Sequence, residues 1–141
     1  MQYEKDFDGW NELKQKIDIE NKEITFHNRE VWWCSIGVNV DCEECGKNEF
    51  FDRPVLVFQK LARNKFYGVP LSTQKQRFEN FYYVFSLSGK EAYALLDQMR
   101  VYSTNRMIRV IGKISIYTYI QIKIKMFIVL GIEKIFPSIF Q

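Results

Sequence analysis

Apolar and polar positions along the chain follow two rhythms. Near the start, Phe7, Trp10, Leu13 and Ile17 recur at a spacing of three to four, with Asp6 and Asp8 placed where a helix dipole favours them. This predicts a helix, separated by the polar stretch 19–29 from the main domain and laid on that domain by its apolar stripe. Beyond it come apolar runs of strand length. The first covers 30–38, with Val31, Trp32, Trp33 and Ile36. The second, Arg53-Pro54-Val55-Leu56-Val57-Phe58, is expected to pair antiparallel with Val69-Pro70-Leu71-Ser72-Thr73 across a connection, 59–68, whose turn signal is Arg63-Asn64. A third, aromatic run occupies 81–85, and apolar 92–96 passes into the charged stretch 97–102. A short helix is expected around 105–110, stopping near Gly112.

Two places have an unusual pattern. Adjacent Trp32 and Trp33 point to opposite faces of a strand, which sends one to the core and the other to an outer surface or a subunit contact. The segment 115–130 supports two readings. Ile120, Ile122 and Ile124 alternate with Gln121, Lys123 and Lys125 as in a strand, yet Ser115 at a cap position with Ile116, Ile120, Phe127 and Leu130 on one face allows a helix. Its polar interruptions rule out a membrane span.

Composition narrows the class. A chain of 141 residues, 47% hydrophobic and 26% charged, can bury a core of its own. The aromatic share of 16% suits a β-rich domain and supplies flat surfaces for bases. A net charge of +3 permits a nucleic-acid partner without demanding one. The polar, acidic first eight residues carry no secretory signal, and three cysteines fit a reducing cytoplasm better than a disulfide framework.

Closing the hairpin would bring Arg53 near Ser72 and Thr73. A permanently charged, forked guanidinium beside two hydroxyls is a phosphate-sized site, although strand ends are commonly polar without function. The long loop 39–52 holds Cys42-Glu43-Glu44-Cys45, which could chelate zinc with His27 and Cys34. Cys34 lies inside an apolar strand and no second close-spaced pair exists, so free thiols, a solvated loop tip and an exposed His27 are expected instead.

The segments Arg29-Glu30-Val31-Trp32-Trp33-Cys34-Ser35-Ile36-Gly37, Glu43-Glu44-Cys45-Gly46-Lys47, Arg53-Pro54-Val55-Leu56-Val57, Val69-Pro70-Leu71-Ser72-Thr73 and Asp97-Gln98-Met99-Arg100 stand in the order of the MazF/PemK toxins of type II toxin–antitoxin systems. The chain resembles that family from about residue 29 to 114 and on to 130, and is most similar to PemK-like members with a helical N-terminal extension. The resemblance implies a mainly β fold with helices: a small SH3-like barrel over 29–131, with a C-terminal helix, an N-terminal helical extension over 1–28 and a tail over 132–141. It implies a metal-independent, cofactor-free endoribonuclease, usually a homodimer, whose groove is occupied by the C-terminal segment of a cognate antitoxin.

Carried onto this sequence, the resemblance makes Arg53 and Ser72 the central catalytic positions and Asp97 a contributor. It makes Glu43 an RNA-binding residue, with Lys47, Thr73, Arg77, Gln98 and Arg100 as further RNA contacts. Ser72 stands where the family has threonine, Glu44 where it has glutamine, Cys45 where it has a polar residue, and Leu95 where some members carry a second arginine. Cleavage through the RNA's own 2′-hydroxyl needs charge compensation at phosphorus, which suits Arg53, and a base, for which Asp97 and Glu43 are the candidates. The products would be a 2′,3′-cyclic phosphate and a 5′-hydroxyl. Tyr82, Tyr83 or Trp32 could stack bases. A non-catalytic barrel similar to CcdB, which poisons DNA gyrase by binding, is the alternative.

Overall fold

The computed structural model describes residues 4–135. Helix α1 (Phe7–Asp18) starts at Asp6, whose carboxylate accepts from the Gly9 N–H at 2.9 Å and so satisfies one of the orphan donors of the first turn. Of the expected apolar stripe, Trp10 is buried, Leu13 and Ile17 are half-buried, and only Phe7, 54% exposed, turns to solvent. Trp10 lies on Gly37, whose φ of +90° suits glycine, and a Cβ built at Gly37 would stand 2.2 Å from the indole. The helix therefore docks on a position that only a missing side chain leaves open.

Seven strands succeed it: β1 (Glu30–Ser35), β2 (Asp52–Ala62), β3 (Lys65–Ser72), β4 (Tyr82–Leu87), β5 (Lys90–Leu95), β6 (Arg100–Ser103) and β7 (Met107–Lys113). They form an antiparallel sheet in the order β4-β5-β3-β2-β1-β7, with β6 also paired to β3. The mainly β fold flanked by an N-terminal and a C-terminal helix is thus present, but the hydrogen-bonded sheet does not close on itself. β4 and β7 end the strand order without pairing to each other. The central hairpin is longer than the apolar runs suggest. Its ladder reaches Ala62↔Lys65, so the ten-residue connection shrinks to the turn at Arg63 and Asn64. Polar Gln59, Lys60 and Lys65 continue the strands because backbone pairing needs no apolar side chain.

Alternation along β1, β2 and β3 divides the interior in two. Val31, Leu56, Phe58, Val69 and Leu71 face one side, where helix α2 (Ile116–Val129) contributes Ile122 and Met126. Cys34, Val55, Val57 and Phe66 face the other, where Phe26, Tyr102 and Met107 cover them. The hairpin is therefore buried on both faces. Gly68 allows this closeness, since a Cβ there would fall 2.5 Å from the Tyr102 ring.

Two sequence expectations resolve differently. Segment 115–130 is helical: Ser115 Oγ accepts from the Thr118 N–H at 3.1 Å, Ile122 and Met126 are buried in the core, and Tyr119 and Val129 pack against it. The helix expected around 105–110 is instead a single 3-10 turn, Thr104–Arg106, leading into β7. Ile108 and Val110 are exposed on that edge strand, so the burial alternation that marks a strand is missing there. A further 3-10 turn covers Ile132–Lys134, and the apolar tail residues from Phe136 onward lie outside the described residues. Among the described residues no helix is long and apolar enough to cross a membrane.

Candidate functional site

Val55 pairs with Pro70 across the central hairpin, so Arg53 and Ser72, each two residues further out, share one end of it. Both line a cleft of about 360 Å³ together with Thr73, Lys47, Lys90 and Trp33. Three cations face the cleft, Lys47, Arg53 and Lys90, against the carboxylates of Asp52 and Glu91. The Ser72 side chain is nearly buried. Its Oγ accepts from the Gln74 N–H at 3.1 Å, which leaves the hydroxyl proton available to a ligand oxygen.

The Arg53 side chain is held by the loop between β1 and β2. Its Nε donates to the Cys45 carbonyl and one terminal nitrogen is ion-paired with the Glu44 carboxylate. The guanidinium is mostly buried, with 13% of the Arg53 side chain exposed. The loop itself is a built structure, not a solvated tip. Phe51 O accepts from Ile36 N at 2.9 Å and Gly37 N at 3.1 Å, and Lys47 and Asp52 form a two-residue bridge. Gly46 makes this possible, because a Cβ there would lie 1.7 Å from the Phe51 carbonyl oxygen. Asp41, Asn48 and Phe51 adopt left-handed backbone, a conformation that persists in non-glycine residues only where the surroundings enforce it.

The remaining sequence-derived residues separate into groups. Lys47 and Thr73 join Arg53 and Ser72 in the cleft. Glu43, Asp97, Gln98 and Arg100 line a neighbouring hollow on the other side of the loop, where Glu44 also contributes. Gln98 Oε1 accepts from the Glu44 N–H at 3.0 Å, and Glu43 turns back to accept from its own loop at Val40 N, 2.9 Å away. Arg100 lies over the Tyr102 ring, 5.1 Å from its centroid. Neither Asp97 nor Glu43 lines the Ser72 cleft. Arg77 stands further off, stacked on Phe78 beside Asp97 in a separate depression.

The carboxylate that meets Arg53 is Glu44, a residue visible in the sequence only as a substitution within a motif. The aromatic at the cleft is Trp33, with the Arg109 guanidinium 5.4 Å from its ring centroid. The expected stacking residues are packed elsewhere: Trp32 against the Phe26 cluster, Tyr82 against Tyr93, and Tyr83 against the α2 side of the core. Strand alternation explains the exchange, since it sends Trp32 and Cys34 to one interior and Val31 and Trp33 to the other side.

The thiols do not converge. Cys34 is fully buried and burial pushes its thiol well above the usual range, partly opposed by Arg106. Cys42 is exposed, and Cys45 Sγ accepts from Asn39 N at 3.2 Å. His27 lies on the surface beside Glu30. Among the described residues no three His, Cys, Asp or Glu side chains are grouped to share a metal ion.

A family model described as the PemK-like, MazF-like toxin of type II toxin–antitoxin systems matches residues 27–130. The fold is similar to that of an endoribonuclease solved in complex with its cognate antitoxin from a mycobacterial species. That likeness has a TM-score of 0.59 at 16% identity, covering 76% of this chain and 96% of the other. No curated protein matches the sequence significantly.

Proposed function

The chain belongs to the PemK-like, MazF-like toxins of type II toxin–antitoxin systems, and on that premise we propose that it is an endoribonuclease cutting single-stranded RNA at the Arg53–Ser72 cleft. The observation that carries this reading is the convergence of a buried, loop-oriented guanidinium and a hydroxyl with a free proton at one end of a rigid hairpin. A scissile phosphate seated there receives charge from Arg53 and a hydrogen bond from Ser72, donors aimed where negative charge develops. The RNA 2′-oxygen loses its proton and bonds to phosphorus. The bond from phosphorus to the 5′-oxygen then breaks, and the leaving oxygen takes up a proton. The products are a 2′,3′-cyclic phosphate and a 5′-hydroxyl.

Asp97 and Glu43 remain the acids proposed to assist, reaching the substrate from the hollow across the loop, and Trp33 offers a face for a flanking base. Lys47 and Lys90 supply charge at the rim of the cleft. A second copy of the chain is proposed to cover the exposed apolar residues of β7 and α2, Ile108, Val110, Ile120 and Ile124. The antitoxin is proposed to compete with RNA for the groove.

The test is incubation of the purified protein with a long single-stranded RNA in EDTA, followed by analysis of the new ends. Cleavage leaving 2′,3′-cyclic phosphate is expected at the same rate with and without chelator. Activity that requires added magnesium or zinc, or 3′-hydroxyl products, would overturn the mechanism. Binding of RNA or of a protein target with no cleavage would favour a non-catalytic barrel.

A further inference from the structure

The Glu44 carboxylate lies on the Arg53 guanidinium, and the proposed cleavage makes no use of it. A carboxylate presents arginine with the same charged, planar pair of acceptors that two phosphate oxygens present. Arg53 has committed its Nε to Cys45 O and one terminal nitrogen to Glu44, so only the other terminal nitrogen has no partner among the described residues. Arg53 lines two depressions, the Ser72 cleft and, behind it, a separate hollow built by the loop residues 41–47, among them Glu44. A phosphate arriving in the cleft therefore meets a guanidinium already neutralised from behind.

The backbone of residue 44 is held independently of its side chain. Its N–H donates to Gln98 Oε1 at 3.0 Å, and its carbonyl accepts from Asn39 Nδ2 at 2.6 Å. The carboxylate can consequently rotate away from Arg53 about its side-chain torsions while the loop stays in place. The Glu44 side chain, 23% exposed, has solvent to rotate into.

We propose that Glu44 is an internal counter-anion at the Arg53 site, displaced when an RNA phosphate binds, and that it thereby lowers RNA affinity and restrains cleavage. The inference rests on Arg53 being the phosphate-binding residue. Removing the charge of Glu44 frees one cation for RNA. Affinity should rise, and binding should depend more steeply on salt, because one more counterion is released from the strand.

The experiment titrates a single-stranded RNA blocked by 2′-O-methylation against the parent, Glu44→Gln, Glu44→Ala, Glu49→Gln and Arg53→Ala at several salt concentrations. Cleavage kinetics are measured in parallel on unmodified RNA. Both Glu44 variants are expected to bind several-fold tighter, with the slope of log K against log salt steeper by about 0.7. KM should fall while kcat stays within about twofold, the signature of altered ground-state binding. Glu49→Gln, an exposed carboxylate of the same loop that lines neither depression, should match the parent in binding. Unchanged or weaker binding and an unchanged slope in both Glu44 variants, with Arg53→Ala still losing affinity, would overturn the proposal alone and make Glu44 a residue that orients Arg53. An Arg53→Ala protein that binds RNA with the parent's affinity and slope would instead remove the phosphate site itself, and the counter-anion with it.

Discussion

The β2–β3 hairpin and the loop that precedes it are held by different forces. In the hairpin, Val55, Leu56 and Val57 are fully buried in succession, because both faces of the sheet are covered. In the loop, Val40 and Phe50 are exposed, and order comes from backbone bonds through Phe51 O, Asn39, Lys47 and Asp52. Apolar burial gives the hairpin its stability, while directional polar bonds give the loop its shape. Arg53 belongs to both regions: strand β2, paired here with Cys34 of β1, fixes its backbone, and the Cys45 carbonyl of the loop aims its guanidinium. The difference separates the two requirements of such a site, a rigid base and an adjustable electrostatic setting.

Breaking the hairpin should have the largest effect on stability. Leu56→Ala is expected to cost about 3 kcal/mol, the typical loss for a buried leucine. For a chain of this length that is a fall of roughly 10 °C in Tm, read by calorimetry. Cleavage per folded molecule should stay near the parent's. Arg53→Ala should show the opposite profile. Removing one donor to developing charge costs about 3 kcal/mol of barrier, at least a hundredfold in rate, with a much smaller change in Tm than Leu56→Ala. Arg53→Lys should recover only part of the rate, because an ammonium keeps the charge and loses the fork. A hairpin variant that lost cleavage while still folded, or an Arg53→Ala protein that unfolded, would erase the distinction.

Gly46→Ala sharpens it from the loop side. A methyl group 1.7 Å from the Phe51 carbonyl must displace the loop, at a cost of about 1–3 kcal/mol. Limited proteolysis should then cut within 37–50 while β2 and β3 remain intact, and cleavage of RNA should fall as Arg53 loses its aim. Ser115→Ala is the smallest change. Loss of the α2 cap should lower stability by about 1 kcal/mol and leave RNA cleavage unaltered, because α2 supports the core and not the cleft.

Legibility in the sequence divides along the same line. The hairpin can be read from its Val- and Leu-rich runs, and the polar residues at their ends put Arg53 beside Ser72. Helix α1 is legible from its spacing because a helix is a local pattern. Strand β7 is not, since Ile108 and Val110 are exposed and its pairing with β1 is interrupted by irregularities in register. The Glu44–Arg53 contact is equally hidden. It depends on a loop reversal built from left-handed residues and backbone bonds, and no spacing rule distinguishes Glu44 from Glu43. Trp33 is recognisable as one of a pair of opposed aromatics, but which of the two meets the cleft depends on which face of β1 the Phe26 cluster covers.

Trp10 seated on Gly37 gives the N-terminal helix a role in time as well as in space. Lys5 Nζ, just ahead of α1, also reaches Asn39 O at 2.7 Å, so the N-terminal segment clamps the first half of the same loop whose second half holds Arg53. When α1 lifts away, Gly37 loses the indole above it and Asn39 loses a partner. The amides of 10–18 and those of 37–46 should therefore open together as one cooperative unit. That opening should lie well below the free energy of global unfolding, where the β2–β3 amides exchange. Native-state hydrogen exchange reads this directly, and loop amides that exchange far faster than those of α1 would show the two to be uncoupled. Such coupled opening would tie the loop that holds the guanidinium to the seating of the N-terminal helix, although no residue of the helix lines the cleft.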